Sequence, residues 1–118
     1  MSTPICDFVR DYCNSVAIRL HMPGHKGFGE LGCEALDITE VPGADDLACP
    51  EGVILASEEN TTELFGSRHT FYSAGGSSQC VQALLHPAYI LPPEGAGNRI
   101  LAARTAHQTF QRDCALLG

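Results

Sequence analysis

The 118-residue sequence contains no tryptophan and a single lysine, Lys26, and its acidic residues outnumber Lys and Arg by 14 to 7. Binding to the phosphates of nucleic acid or of an anionic membrane requires clustered basic residues. A formal net charge of −7 therefore argues against both partners. No apolar run approaches the length of a membrane span, and the first residues lack a secretory signal pattern. We expect one small cytoplasmic domain.

Cysteine is plentiful, with six residues, but no Cys-x-x-Cys pair is present. An even number of cysteines is compatible with disulfides. The lack of a secretory signal and the apolar neighbours of several cysteines favour reduced thiols that pack as small hydrophobic side chains. No metal site is predicted, because His21 and His25 share a loop without a recognisable set of further ligands.

Two helices are predicted in the first half of the chain. Thr3 and Pro4 supply a hydroxyl cap and a first-turn proline for a helix that runs to about Asn14. Its apolar side is formed by Ile5, Phe8, Val9 and Tyr12. A second helix is expected to begin with Pro50-Glu51-Gly52 and to end at Gly66, where glycine favours a helix C-terminus. Three glutamates are expected mostly away from the apolar side of this second helix: Glu58, Glu59 and Glu63.

Two loops between these helices carry polar residues. The segment from His21 to Gly27 contains a proline and two glycines, which exclude regular structure. Lys26 in this loop is the only lysine, but nothing indicates the desolvation that a Schiff-base lysine needs. The segment 37–41 alternates polar and apolar residues, as a short strand or an extended segment would. The turn that follows holds the adjacent acids Asp45 and Asp46, which are more often solvated or helix-capping than cation-binding.

The turn Gly75-Gly76-Ser77-Ser78 lies between residues 70–72, which read as a short strand, and a helix that includes residues 81–85. Helix-start amides without acceptors, close backbone approach at glycine and two hydroxyl groups together suit an anion such as a phosphate group. A helix start with a serine N-cap and no ligand is an equally good interpretation of this stretch. The turn is neither a Walker A loop nor a dinucleotide fingerprint.

The last part of the chain predicts a second strand over residues 99–103 and a helix from about Ala106 to Leu117, capped by Thr105. His86 and Pro87 are expected to break or bend the preceding helix. Strand, helix, strand and helix in this order predict a parallel βαβ unit of an α/β protein. Such a unit would place His107 on the same sheet rim as Ser77 and Ser78.

Four motifs in order resemble the start of the major domain of the bacterial ornithine/lysine/arginine decarboxylases. These motifs are His21–Gly27, the acidic segment from Asp37 through Gly52, the Gly-Ser-Ser turn at 75–78, and Arg104–Gln108. The resemblance covers residues 5–118. It implies the α/β aspartate-aminotransferase fold, of which this chain would be an N-terminal part: helices followed by a parallel βαβ segment, without an internal domain boundary.

The resemblance also implies the site. The cofactor would be pyridoxal 5′-phosphate, with its phosphate on Gly76, Ser77, Ser78 and Gln79. His107 would stack on the pyridine ring as the one catalytic residue within this chain. No metal is implied, and the loop with Lys26 is assigned no chemical step.

The implied activity is the decarboxylation of lysine, arginine or ornithine, in amino-acid metabolism and polyamine biosynthesis. The family's Schiff-base lysine and pyridine-nitrogen aspartate would lie beyond Gly118, so we expect a truncated and inactive piece. The expected partners are an amino-acid substrate and a second subunit in a homodimer or higher oligomer. Two alternatives stay open: a non-catalytic homologue that pairs with an intact subunit, and a small phosphate-binding module.

Overall fold

The computed structural model describes residues 2–39, 41–95, 97 and 99–118, and within these ranges the regular structure is entirely helical. The helices are α1 (Pro4–Asn14), a short 3₁₀ helix (Glu34–Leu36), α2 (Val53–Phe65), α3 (Gly76–Ile90) and α4 (Gln108–Leu117). The chain divides into two compact units, Met1–Tyr72 and Ser73–Gly118, which are described separately.

In the first unit, α1 has the bounds expected from the sequence. Pro4 occupies the first turn, and the Asp7 carboxylate accepts hydrogen bonds from the Thr3 amide and the Thr3 hydroxyl, both at 3.0 Å. The apolar side of α1 is partly buried, because α1 packs against α2 and the 3₁₀ helix. The amide of Asn60 on α2 donates to the Ser2 carbonyl oxygen at 3.1 Å, next to the start of α1.

The start of α2 is capped by the side chain of Asp45, seven residues upstream of its N-cap Gly52. One carboxylate oxygen accepts the Glu51 amide at 2.9 Å, and the other accepts the amides of Gly52 at 2.8 Å and Ile54 at 2.9 Å. Asp45 has a φ of 69°, which is uncommon for a residue with a side chain. The helix-capping interpretation of the adjacent acids is confirmed for Asp45, and Gly66 ends α2 in the left-handed conformation as predicted.

The prediction that Glu58 faces away from the packed side of α2 is wrong. Glu58 is 5% exposed, and its carboxylate accepts the Tyr72 amide at 2.7 Å. The Tyr72 hydroxyl donates to the Ser57 carbonyl oxygen at 3.0 Å and lies 2.8 Å from the Thr61 hydroxyl. The end of the first unit is therefore held against α2 by side-chain hydrogen bonds.

Neither of the two predicted strands forms. Residues 70–72 are irregular because the Tyr72 amide bonds to a side chain instead of a neighbouring strand. The described residues 99–103 are also irregular, and Leu101 is 100% exposed. An isolated β-prone segment has no backbone partners and gains no sheet packing.

The predicted α/β fold is consequently wrong: the described residues contain no parallel βαβ segment and hence no partial aspartate-aminotransferase domain. Two details of the second unit also differ. Helix α3 continues through Pro87 to Ile90, so of the expected break or bend near Leu85 the break does not occur. Helix α4 is capped by His107, not by Thr105.

Few side chains are deeply buried in either unit. Among the described residues the buried apolar side chains are Val41 and Leu85, whereas many large apolar side chains are exposed. All six cysteines are free thiols, and four are exposed, so the expectation that they pack as small hydrophobic residues is wrong for these: Cys6, Cys33, Cys49 and Cys80. No helix in the described ranges is long and apolar enough to cross a membrane.

Two predicted segments include residues outside the described ranges. Glu40 lies outside them in the segment expected to be extended, and Ala96 and Asn98 lie outside them in residues 91–98, whose prolines and glycines predict a loop.

Candidate functional site

The Gly-Ser-Ser turn forms the first turn of α3. Gly75 is the N-cap and supplies no side-chain acceptor, and Gly76 opens the helix with a φ of 66°. The amides of Ser77 and Ser78 belong to the helix start, where an α-helix has no internal acceptors and carries partial positive charge. Both serines are exposed. Two hydroxyl groups and the helix-start amides are therefore open to a ligand from solvent.

Gln79 stabilises the turn from within. Its side-chain carbonyl oxygen accepts the Gly75 amide at 2.8 Å and the Ser73 hydroxyl at 2.6 Å. A β-carbon at position 75 would clash with that oxygen, so glycine permits the close approach. Gln79 therefore shapes the turn, and the serines are its exposed donors.

Helix α4 brings His107 next to the same turn. The Ser78 hydroxyl lies 3.3 Å from the Thr109 hydroxyl, which lies 2.9 Å from Nδ1 of His107. Thr109 thus connects two of the residues predicted from the sequence. Ser78 and His107 lie at the ends where α3 and α4 begin, although no sheet rim carries them.

The role of His107 as the N-cap of α4 defines its tautomer. Nδ1 accepts the Thr109 amide at 3.3 Å, so in this arrangement Nδ1 carries no proton. The proton of a neutral ring is then on Nε2. His107 is exposed. Both its ring face and its Nε2–H are available to a ligand in the second unit.

The loop of residues 21–27 is occupied by internal hydrogen bonds. Nε2 of His21 lies 2.6 Å from the Tyr12 hydroxyl, and the Lys26 ammonium donates to the carbonyl oxygens of His21 and Leu20, the latter at 3.3 Å. His25 accepts the Gly27 amide at 3.0 Å. This loop is held against α1, and Lys26 acts in it as a backbone hydrogen-bond donor.

No group of three or more potential metal ligands occurs among His, Cys, Asp and Glu of the described ranges. His25 is also paired with Asp37, at 3.2 Å.

Two polar residues of α4 were missed at the level of sequence. Thr109 bridges Ser78 and His107. Asp113 is 5% exposed and accepts the side-chain amide of Gln82 at 2.9 Å. The sequence contains a signal for Asp113, because it stands three residues after Phe110 and four before Leu117, which places it on the apolar face of the helix.

Three arginine decarboxylases are similar to this chain in sequence. Those of Bacillus subtilis, Halalkalibacterium halodurans and Bacillus anthracis are 25%, 31% and 26% identical. The alignments cover 92%, 92% and 91% of this chain, but the chain spans only 23% of the length of each relative. No family model and no solved structure matches the chain.

These similarities show a relationship to decarboxylases, a class of lyases, at a coarse level. The sequence similarities do not support the family assignment that was expected from the four motifs. The assignment to the α/β major domain of the ornithine/lysine/arginine decarboxylases is wrong, since the described residues form helices alone. The prediction of a part of a pyridoxal-phosphate decarboxylase for basic amino acids is wrong for the same reason, and because the match is limited to 23% of each relative.

Proposed function

We propose that this decarboxylase-related chain binds pyridoxal 5′-phosphate in its second unit, with the phosphate group at the start of α3 and the ring beside His107. The supporting observation is that the start of α3, whose N-cap has no side-chain acceptor, lies next to the exposed imidazole of His107. Thr109 connects the two, because its hydroxyl lies within hydrogen-bond distance of both Ser78 and His107. When bound to an amino acid, this cofactor supplies the electron sink for a carbanion.

The residues present fit such a group. Phosphate oxygens accept hydrogen bonds, and the first turn of α3 offers the amides and hydroxyls of Ser77 and Ser78 as donors. The hydroxyl of Ser77 makes no hydrogen bond with any other described residue. The exposed ring of His107 provides a flat surface for a pyridine ring, and its Nε2–H provides one more donor.

The proposed partners follow the same expectation. The chain would bind a small amino acid together with the cofactor in the cytoplasm, would self-associate as a homodimer or larger oligomer, and would bind neither nucleic acid nor membrane. Exposed apolar side chains such as Leu101 and Leu116 support self-association, because burying them in an interface removes apolar surface from water.

The direct test uses ligands without the cofactor's aldehyde, so that condensation with Lys26 cannot contribute. Binding of 4-deoxypyridoxine 5′-phosphate and of 4-deoxypyridoxine would be compared by isothermal titration calorimetry. We expect the phosphorylated ligand to bind at least about tenfold more tightly, a difference of about 1.4 kcal/mol.

The double variant Ser77→Ala/Ser78→Ala should abolish most of this preference. Ser67→Ala, which removes an exposed hydroxyl of the first unit, is the matched control and should keep it. Equal affinity of the wild-type chain for the two ligands would refute the proposed phosphate site.

A further inference from the structure

A groove with a volume of about 480 Å³ lies between α3 and α4, within the second unit. Apolar atoms line most of it, contributed mainly by Ala83, Pro87, Leu116 and Leu117. Pockets of this size hold small organic molecules. An apolar wall favours a ligand with a hydrocarbon part.

The buried polar group of this groove is the carboxyl of Asp113. Its Oδ1 accepts the Gln82 amide at 2.9 Å. Its Oδ2 is fully removed from solvent and has no hydrogen-bond partner among the described residues. A buried carboxylate is costly unless it is paired, because it has lost its water and gained no donor. Asp113 therefore lacks one donor or one positive charge.

The surrounding side chains do not supply that charge. His86 lines the groove, but no hydrogen bond or ion pair between His86 and Asp113 occurs in the part of the chain that the structure describes. The neighbouring Arg112 is exposed and forms no ion pair with a described carboxylate. A metal ion is a poor candidate, since no cluster of three ligands is formed by the described residues.

We propose that the groove binds a small primary alkylammonium ion, with its alkyl chain along Leu116 and Leu117 and its ammonium group on Asp113. Binding requires the Asp113 carboxyl to rotate so that Oδ2, which solvent does not reach in this conformation, faces the groove. The ammonium group supplies the missing charge and donors in one step. The hydrocarbon part covers the apolar wall. This inference does not depend on the proposed cofactor site, because its ligand is a cation without a phosphate group.

The test compares n-pentylamine with n-pentanol, which have the same alkyl chain and differ in charge. Binding to the wild-type chain would be followed by isothermal titration calorimetry at neutral pH. We expect the amine to bind about tenfold more tightly than the alcohol. Equal affinities, or no amine binding at millimolar concentration, would overturn the proposal.

Asp113→Asn removes the charge but keeps an oxygen that can accept the Gln82 amide. We expect this variant to bind the amine and the alcohol equally. Glu59→Gln removes one exposed negative charge from α2 and should leave the tenfold preference unchanged. An Asp113→Asn protein that retains the preference would show that net charge, not this carboxylate, attracts the amine.

A second variant, Ala83→Leu, tests the groove independently in case Asp113→Asn fails to fold. Ala83 is exposed at the groove, so Ala83→Leu adds bulk there without overpacking a core. It should weaken binding of both ligands while the far-ultraviolet circular dichroism spectrum stays that of the wild type. Unchanged amine binding by Ala83→Leu would place the amine elsewhere and overturn the assignment to this groove.

Discussion

The helices α2 and α3 begin in opposite ways. At the start of α2, the Asp45 carboxylate accepts several backbone amides and supplies a negative charge from within the chain. At the start of α3, the N-cap is Gly75, which has no side-chain acceptor, and the Gln79 side chain accepts the Gly75 amide but not those of Ser77 and Ser78. Both helix starts present amides that have no acceptor within the helix and that carry partial positive charge. One is satisfied internally, and the other is left for water or for an anionic ligand.

The titration behaviour of Asp45 reflects this difference. Its hydrogen bond from the Glu51 amide, together with those from Asp46, Gly52 and Ile54, holds the pKa of the carboxyl far below its usual range. Hydrogen bonds to the charged form favour that form. The Asp45 cap therefore stays ionised at neutral pH, whereas the occupancy of an external anion at α3 would depend on the concentration of that anion.

The largest expected effect comes from removing the Asp45 cap. Asp45→Ala leaves the amides of Gly52 and Ile54 without their acceptor and should lower the thermal midpoint of the first unit clearly. Circular dichroism at 222 nm measures it. Asp45→Asn keeps one acceptor oxygen and should fall between wild type and Asp45→Ala. An unchanged midpoint in Asp45→Ala would mean that water replaces the carboxylate at no cost.

The same cap predicts a pH dependence with a defined sign. Because folding lowers the pKa of Asp45, its contribution is fully present above the ordinary value near 4 and declines as pH falls through the folded pKa. Wild-type stability should therefore decrease more steeply than that of Asp45→Ala below pH 4. Parallel profiles in chemical denaturation at stepped pH would contradict the role of Asp45.

A smaller effect is expected at Glu58, the other carboxylate that accepts a backbone amide near α2. Glu58→Ala leaves the partly buried Tyr72 amide without its acceptor, at a cost of about 1 kcal/mol. Urea unfolding measures this loss. Glu59→Ala, at the adjacent exposed position, is the control and should change stability little. Equal losses in the two variants would indicate an effect of helix charge instead of the Tyr72 bond.

At α4, His107→Ala removes the side-chain cap and should cost about 1 kcal/mol, as removing an N-cap typically does. His107→Asn retains a good capping group and should restore most of the stability. If the proposed cofactor site is correct, neither variant should bind 4-deoxypyridoxine 5′-phosphate as the wild type does. Full binding by His107→Asn would show that the ring of His107 is not part of the site.

The smallest stability change comes from giving α3 an internal anion like that of α2. In the double variant Gly75→Asp/Gln79→Ala, removal of Gln79 makes room for the new β-carbon. A better N-cap should raise stability by a few tenths of a kcal/mol. It should also abolish binding of the phosphorylated ligand, because the new carboxylate repels phosphate. Gln79→Ala alone is the control for the loss of the glutamine.

The helices were predictable because local signals agree for each of them. Proline in the first turn of α1 and Gly66 after α2 mark boundaries that the structure confirms. The strands were not predictable in this way, because β-propensity of residues 70–72 says nothing about a pairing partner. The Tyr72 amide instead bonds to Glu58, a residue expected mostly away from the apolar side of α2.

The sequence indicated residues of the candidate site, but not the neighbouring side chains that hold them in place. Ser78 and His107 were identified from their motifs, while Thr109, which connects them, has no motif of its own. Asp113 was overlooked because a carboxylate is normally assumed to be exposed. Its position on the apolar face of α4 was the available signal.

The loop around Lys26 offers a way to observe motion in the first unit. The chain has one lysine side chain, and its nitrogen is bound to two backbone carbonyl groups. Acylation requires that nitrogen to be free of its acceptors, so its rate with an amine-directed reagent reports how often the Lys26 side chain leaves these carbonyl groups. The reactivity of the Lys26 side chain is therefore a chemical measure of local motion beside α1.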